Sequence, residues 1–252
     1  MGAEHDFTYR HYRQMLTSAI DNSYHFVDFG ILPLNNDRGE PACSLRHDCD
    51  NDMTAALSMA SIERKLGVRS TYFVMLRSAM YNLLNIPNRE IAQQIIQMGH
   101  EVGLHFDERC YPTATPSQIS DHIDVERRIM SELFDIDVNI VSFHQPSERV
   151  LKNEIRVRCL STYSFRNEQG IGYVSDTNME WMEGCPCGIF QDRRYHRLQL
   201  LVHPEWWTER EMSILGKWHN MFRNNFALSQ QSLLSRERSY RQRQEISFRG
   251  PD

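Results

Sequence analysis

Ala42-Cys43-Ser44-Leu45-Arg46-His47-Asp48-Cys49-Asp50-Asn51-Asp52 is the stretch on which the reading of the fold turns. Ala42 to His47 reads as a buried strand. Directly beyond it, Asn51 or Asp52 can cap a helix running to about Leu66, with Gly67 where a helix-ending glycine belongs. A strand that passes straight into a helix is the repeating step of a parallel α/β fold.

The same step recurs outward in both directions. Upstream, Tyr9 to Ile20 has apolar residues at helical spacing and Tyr24 to Phe29 is a short β-rich run. Downstream, Ser70 to Leu76 reads as a strand, Asn88 to Met98 as a helix stopped by Gly99, and Glu101 to Phe106 as a strand. Thr115 to about Phe134 is an amphipathic helix with Pro116 at a favourable first position. Asn139 to His144, Gly172 to Ser175 and Arg197 to Val202 are further strands, and Thr208-x-x-Glu211 resembles a capping box before a last helix to about Leu228. Strands alternating with helices imply a mostly parallel sheet, open or closed.

The chain has 252 residues, of which 40% are hydrophobic, 10% aromatic and 24% charged, with a formal charge of −5. That length allows one domain or two at roughly 150 residues each, and the composition excludes a mainly disordered chain. Mild acidity argues against a nucleic-acid partner. No apolar run approaches the roughly 18 residues a membrane span needs. The N-terminal residues have no apolar core of a secretory signal, and Gly2 is followed by Asp6 where acylation would want Ser or Thr. Six cysteines, including Cys185-Pro186-Cys187, are too few for a disulfide scaffold in a chain this long. The expected compartment is therefore the cytoplasm. The expected division is a barrel domain over residues 1–228 and an Arg-rich tail or helix end over 229–252, carrying Arg236, Arg238, Arg241 and Arg243.

Ionisable side chains gather just after the strands, where parallel α/β folds build their sites. Side chains alternate along a strand, so Arg46, Asp48 and Asp50 share one face while His47 and Cys49 take the other. Two carboxylates this close need a cation or a shared proton, although Asp50, Asn51 or Asp52 could equally be an ordinary helix cap. His105 and Asp107 follow one strand, His144 another, Asp176 a third and His203 a fourth. His100 is better read as a helix-end residue. Gly103, within a strand, would allow a close backbone approach or a bulge. No dinucleotide fingerprint, phosphate-binding loop or nucleophile elbow is present. A mixed carboxylate and imidazole site remains, whose donors suit zinc and also manganese, iron or cobalt.

Together these segments resemble the polysaccharide deacetylase family, carbohydrate esterase family four, and within it a cytosolic branch of surface-polysaccharide biosynthesis. Arg46-His47-Asp48-Cys49-Asp50, Ser70-Thr71-Tyr72-Phe73, Gly99 to Asp107, Ser142 to Pro146, Ser175-Asp176 and His203-Pro204-Glu205-Trp206-Trp207 follow in the family's order, over about residues 7 to 210. The resemblance implies a single distorted (β/α) barrel of about seven parallel strands. It implies a divalent-metal-dependent deacetylase acting on an N-acetylated sugar, nucleotide sugar or related precursor. Asp48 takes the place of the catalytic base, Asp50 and His105 those of metal ligands, and His203 that of the acid, oriented by Asp176. Trp181 would help wall the acyl pocket. Arg46, Asp107 and Trp206 join it as candidates for substrate contact.

Two positions depart from the wider family. Arg109 stands where a second metal histidine belongs, and His144 stands where an arginine opens the third motif. His144 is the expected replacement ligand, with Asp107 or a water as alternatives. The competing readings are a metal-free carbohydrate-binding module on the same barrel and an amidase of a non-sugar N-acyl metabolite.

Overall fold

A computed structural model describes residues 6–32, 39–164 and 170–241; Gly2 and Arg243, read above, lie outside them. Strand β2 (Ala42–Cys49; β1 is His25–Phe26) is buried along its whole length. It lies between β3 (Thr71–Val74) and β8 (Arg197–Val202), parallel to both, with Arg46 level with Thr71 on one side and Leu201 on the other. Outward from β3 lie β4 (Glu101–Phe106), β5 (Ile140–Phe143) and β6 (Leu160–Ser161); outward from β8 lies β7 (Ile171–Ser175). The spatial order is β6-β5-β4-β3-β2-β8-β7, every pairing parallel, with β1 beside the start of β2. This curved seven-strand path with helices around it is a distorted (β/α) half-barrel.

The helices form where the sequence supplies caps. Helix α1 (Tyr9–Asp21) is capped by Thr8, and α2 (Met53–Leu66) by Asp52, whose Oδ1 accepts the Ala55 N–H at 3.1 Å. Gly67 ends α2 in the left-handed region at φ 71°. Helix α3 is Ile86–Gln97, and α4 (Pro116–Phe134) opens with a reciprocal Thr115–Gln118 capping box. Helices α5 (Glu148–Leu151) and α6 (Pro186–Gln191), like β6, are too short to leave a periodic signal.

The Thr208-x-x-Glu211 reading is corrected. Thr208 is buried, bridges Thr8 in parallel and donates its hydroxyl to the Arg210 carbonyl, while Glu211 accepts the Phe7 N–H. The hydroxyl is thus taken by a carbonyl two residues on, and Thr8 and Phe7, from the other end of the chain, hold the rest of the segment out of a local cap. The last long helix, α7 (Ile214–Arg236), is capped instead by Ser213 and runs past residue 228; α8 is Arg238–Arg241. No helix among the described residues is long and apolar enough to cross a membrane.

Two hydrophobic clusters fill the space between sheet and helices. A third, Phe29, Phe73 and Ile140, lies against Gly103, where a Cβ would come within 2.6 Å of Phe73 and 2.8 Å of Ile140. Gly103 thus serves the close approach and not a bulge. On the helix side of β2, His47 Nε2 pairs with Glu63 Oε1 of α2 at 2.7 Å, and Ser70, Tyr12 and Tyr72 donate to the same carboxylate. This buried knot pins β2 to α2 and fixes which residues of the strand face the other way, toward the site.

Candidate active site

Arg46 and Asp48 emerge on the inner face of β2, as alternation requires. The guanidinium clasps the carboxylate through both forks, Nε to Oδ1 at 2.8 Å and Nη2 to Oδ2 at 2.6 Å, and both residues are nearly inaccessible. Burial pushes the Asp48 carboxyl up, but the charge of Arg46 and its hydrogen bonds outweigh it and hold it below the usual carboxylate range. Phe73 and Tyr163 flank the guanidinium at 5.4 and 5.6 Å. Arg46 therefore orients Asp48 from beneath rather than meeting a ligand.

Asp50 escapes the capping role, which falls to Asp52. Its Oδ1 lies 2.9 Å from His105 Nε2 at the end of β4 and 3.1 Å from His144 Nδ1 just past β5. Yet this buried oxygen has no hydrogen bond of acceptable geometry. The reason lies behind His105. Ser142 Oγ, on β5, donates toward Asp48 at 3.3 Å, accepts from Arg46 and sits 2.9 Å from His105 Nδ1. With its one proton turned to Asp48, Ser142 must accept from Nδ1–H, which leaves Nε2 as a bare lone pair facing the Asp50 oxygen. The ligand atoms of Asp50, His105 and His144 lie within 4.8 Å of one another, and one carboxylate oxygen with two imidazole nitrogens is a donor set that fits a metal ion.

Asp107 does not join this group. It caps the short turn Glu108–Cys110 and is held by Arg109, Nε to Oδ1 and Nη2 to Oδ2 both at 2.8 Å. Arg109 also reaches Gln145 Oε1 at 2.6 Å, so it braces the loop that carries His144. Gln145 itself takes a left-handed φ of 45°, a strained turn directly after His144.

On the neighbouring strand, His203 follows β8. Its Nδ1 lies 2.6 Å from Asp176 Oδ1, and Trp207 Nε1 donates to Asp176 Oδ2 at 3.0 Å. Burial would lower the imidazole pKa, but the Asp176 charge and hydrogen bond, with Asp48 and Asp50 nearby, raise it to about 10. Asp176 is fully buried and His203 is 14% exposed, so the imidazolium presents one face to the cleft.

The cleft has a volume of about 660 Å³; Asp48, Asp50, His105, His144, His203 and Trp206 all line it. Trp181 does not line it: the ring packs behind the dyad between Phe7 and Trp207. Residues the sequence reading left unassigned also contribute. Ser142 shares a face with His144 and could have been found by that alternation. Tyr163, Tyr173 and Trp218 line the cleft as well, and Trp218, from α7, stands edge-on to Trp206 at 5.8 Å. Glu205 is buried and accepts from Asn51 Nδ2 at 2.8 Å, and burial beside Asp50 lifts its carboxyl well above the usual range.

No protein-family model and no curated protein matches the chain. Among the solved structures it resembles are family 4 carbohydrate esterases. One is a pseudoenzyme of that family from Bacillus anthracis, at 15% identity and a TM-score of 0.43, covering 75% of this chain and 60% of the other. A Streptococcus pyogenes deacetylase in complex with acetate is 14% identical, with a TM-score of 0.46 and coverage of 71% and 84%. A Streptomyces lividans family 4 carbohydrate esterase in complex with acetate is 12% identical, with a TM-score of 0.43 and coverage of 76% and 90%. This chain thus spans about three fifths of the length of the pseudoenzyme.

Proposed function

We propose that this protein is a metal-dependent N-deacetylase of the polysaccharide deacetylase type, hydrolysing the acetamide of an N-acetylated sugar or sugar precursor. The observation that carries the reading is the orphaned Asp50 Oδ1, buried and faced by the lone pair of His105, with an anionic carboxylate and an imidazolium lining the same cleft.

Asp50, His105 and His144 would hold the ion, zinc by donor type, with manganese, iron or cobalt accepted by the same set. A divalent ion there supplies polarisation of the amide carbonyl and acidification of water. Asp48, fixed by the Arg46 fork and anionic at neutral pH, accepts the proton of the water that attacks the carbonyl carbon. A carboxylate oxygen has a second lone pair, so the bond to Arg46 orients this base without blocking it. His203 is the acid. Its cleft-facing nitrogen gives a proton to the departing amine as the C–N bond breaks, and Asp176 holds the ring. A positioned base or acid contributes roughly 10²–10⁴-fold to the rate. Acetate and a free amine are the products.

Tyr163, Tyr173, Trp206 and Trp218 line the cleft beside the polar centre, a mixture suited to a sugar ring, whose C–H faces pack on aromatic planes while its hydroxyls and amide meet polar groups. All six cysteines stand as free thiols, which suits a reducing compartment and supports action in the cytoplasm on a soluble or membrane-surface precursor.

The test combines metal content with acetate release from N-acetylated sugars and nucleotide sugars. Asp48→Asn should retain close to one equivalent at the Asp50 centre and lose activity by at least 10²-fold. His105→Ala should lose both that ion and the activity. A metal-loaded Asp48→Asn protein with normal turnover removes the base assignment. A wild-type protein that takes up no metal at Asp50 and releases no acetate favours the binding-module reading.

A further inference from the structure

Outside the cleft, three soft donors come together between the first turn of α1 and the start of α6. His11 Nε2 lies 3.2 Å from Cys185 Sγ and 3.8 Å from Cys187 Sγ, and all three ligand atoms fall within 4.8 Å of one another. All three residues are half-buried. The other ring nitrogen, Nδ1, lies 2.6 Å from the Asp6 carbonyl oxygen. A carbonyl can only accept, so Nδ1 carries a proton and Nε2 is the nitrogen turned to the two sulfurs, a ligand once it is deprotonated. A backbone carbonyl fixing the tautomer from behind is the usual support of a metal-bound histidine. The Cys187 N–H also points at Cys185 Sγ at 3.4 Å, a donor aimed at an electron-rich sulfur.

The sequence reading set Cys185-Pro186-Cys187 aside because a single intervening residue is not the common zinc spacing. The fold supplies what that pattern lacked, a third donor 174 positions away. Pro186 occupies the first turn of α6, and the Ser18 hydroxyl donates to the Cys187 carbonyl, so both sides of the cluster are held in place.

We propose that His11, Cys185 and Cys187 form a second metal site, separate from the Asp50 centre, that takes one zinc-like ion through two thiolates and an imidazole. Sulfur and imidazole donors select zinc over magnesium, calcium or manganese. Binding needs both sulfurs and His11 Nε2 free of protons and releases to solvent those the cluster holds, so uptake strengthens as pH rises. The half-buried setting leaves the fourth tetrahedral position to solvent. The role is structural. The ion clamps α1 to α6, and α1 carries Tyr12, whose ring packs against Trp207 at 5.1 Å, the residue that supports Asp176.

Cobalt distinguishes the two sites, because thiolate ligands give a near-ultraviolet charge-transfer band that an oxygen and nitrogen site does not. His105→Ala/His144→Ala, which removes the other centre, should still bind one equivalent of cobalt with that band. Cys185→Ser/Cys187→Ser should lose the band and the rise in melting temperature on zinc addition. No sulfur band in the first variant, or an undiminished band in the second, overturns the proposal. Should the cysteine variant not fold, alkylation of the wild-type protein decides the matter. Zinc should protect Cys185 and Cys187 while exposed Cys110 goes on reacting, and equal labelling of all three with and without zinc rejects the site.

Discussion

His203 keeps its proton to about pH 10 because of the Asp176 carboxylate beside it, and that dependence can be measured. If His203 is the acid, kcat/KM should hold across neutral pH and fall on the alkaline side. Asp176→Asn should move that fall to lower pH, and an unmoved alkaline limb would place the acid elsewhere. The same shift has a stability signature. Below about pH 6.5 folded and unfolded chains both carry the proton, and the pair's contribution is fully present. Between there and about pH 10 only the folded chain is protonated, so stability is lost as pH rises. His203→Gln should flatten that slope in a series of thermal melts. Which residues meet at the site was largely legible, because strand alternation puts Arg46, Asp48 and Asp50 on one face. What each does was less so. Arg46 was assigned to substrate contact, yet its fork closes on Asp48; strand parity gives a face but not a partner two residues along the same strand.

Among the elements, β4 bears the tightest constraint. Gly103→Ala inserts a methyl group where Phe73 and Ile140 already stand within 3 Å, in a layer with no slack. The expected loss is about 1–3 kcal/mol, read from the denaturant midpoint, with activity reduced because His105 is two residues on in the same strand. Gly188→Ala in α6 meets nothing and should be neutral or slightly stabilising. Helix α4 could be placed from sequence because Thr115, Pro116 and Gln118 are a self-contained signal. Thr208 carries a similar signal and was misread, since its hydroxyl turns to the Arg210 carbonyl and its backbone pairs with Thr8, some two hundred residues earlier, a partner no local rule can weigh.

At the scale of the molecule, α7 is a strap whose position no periodicity in its own sequence reveals. Lys217 is fully buried on it and donates to the carbonyls of Trp206 at 2.7 Å and Phe7 at 3.3 Å. Lys217→Met should leave both carbonyls without that partner and cost about 1–3 kcal/mol, seen as a lowered midpoint without a changed slope. Further along, Asn224 donates to Asp52 Oδ2 at 2.8 Å and Asn225 to the Asn51 carbonyl at 2.7 Å, holding the turn that follows Asp50.

That strap sets an order in time. Asp52 and Asn224 are 172 residues apart, so at about 5–20 residues per second the ribosome needs roughly 10–35 s to supply the second after the first. Asp50, His105 and His144 have all been made by residue 144, whereas His203 and then Asn225 come later. The growing chain therefore owns its three donors well before its acid and its brace. Under the proposed function, the residues that would hold the metal are thus translated before the residues that would complete hydrolysis.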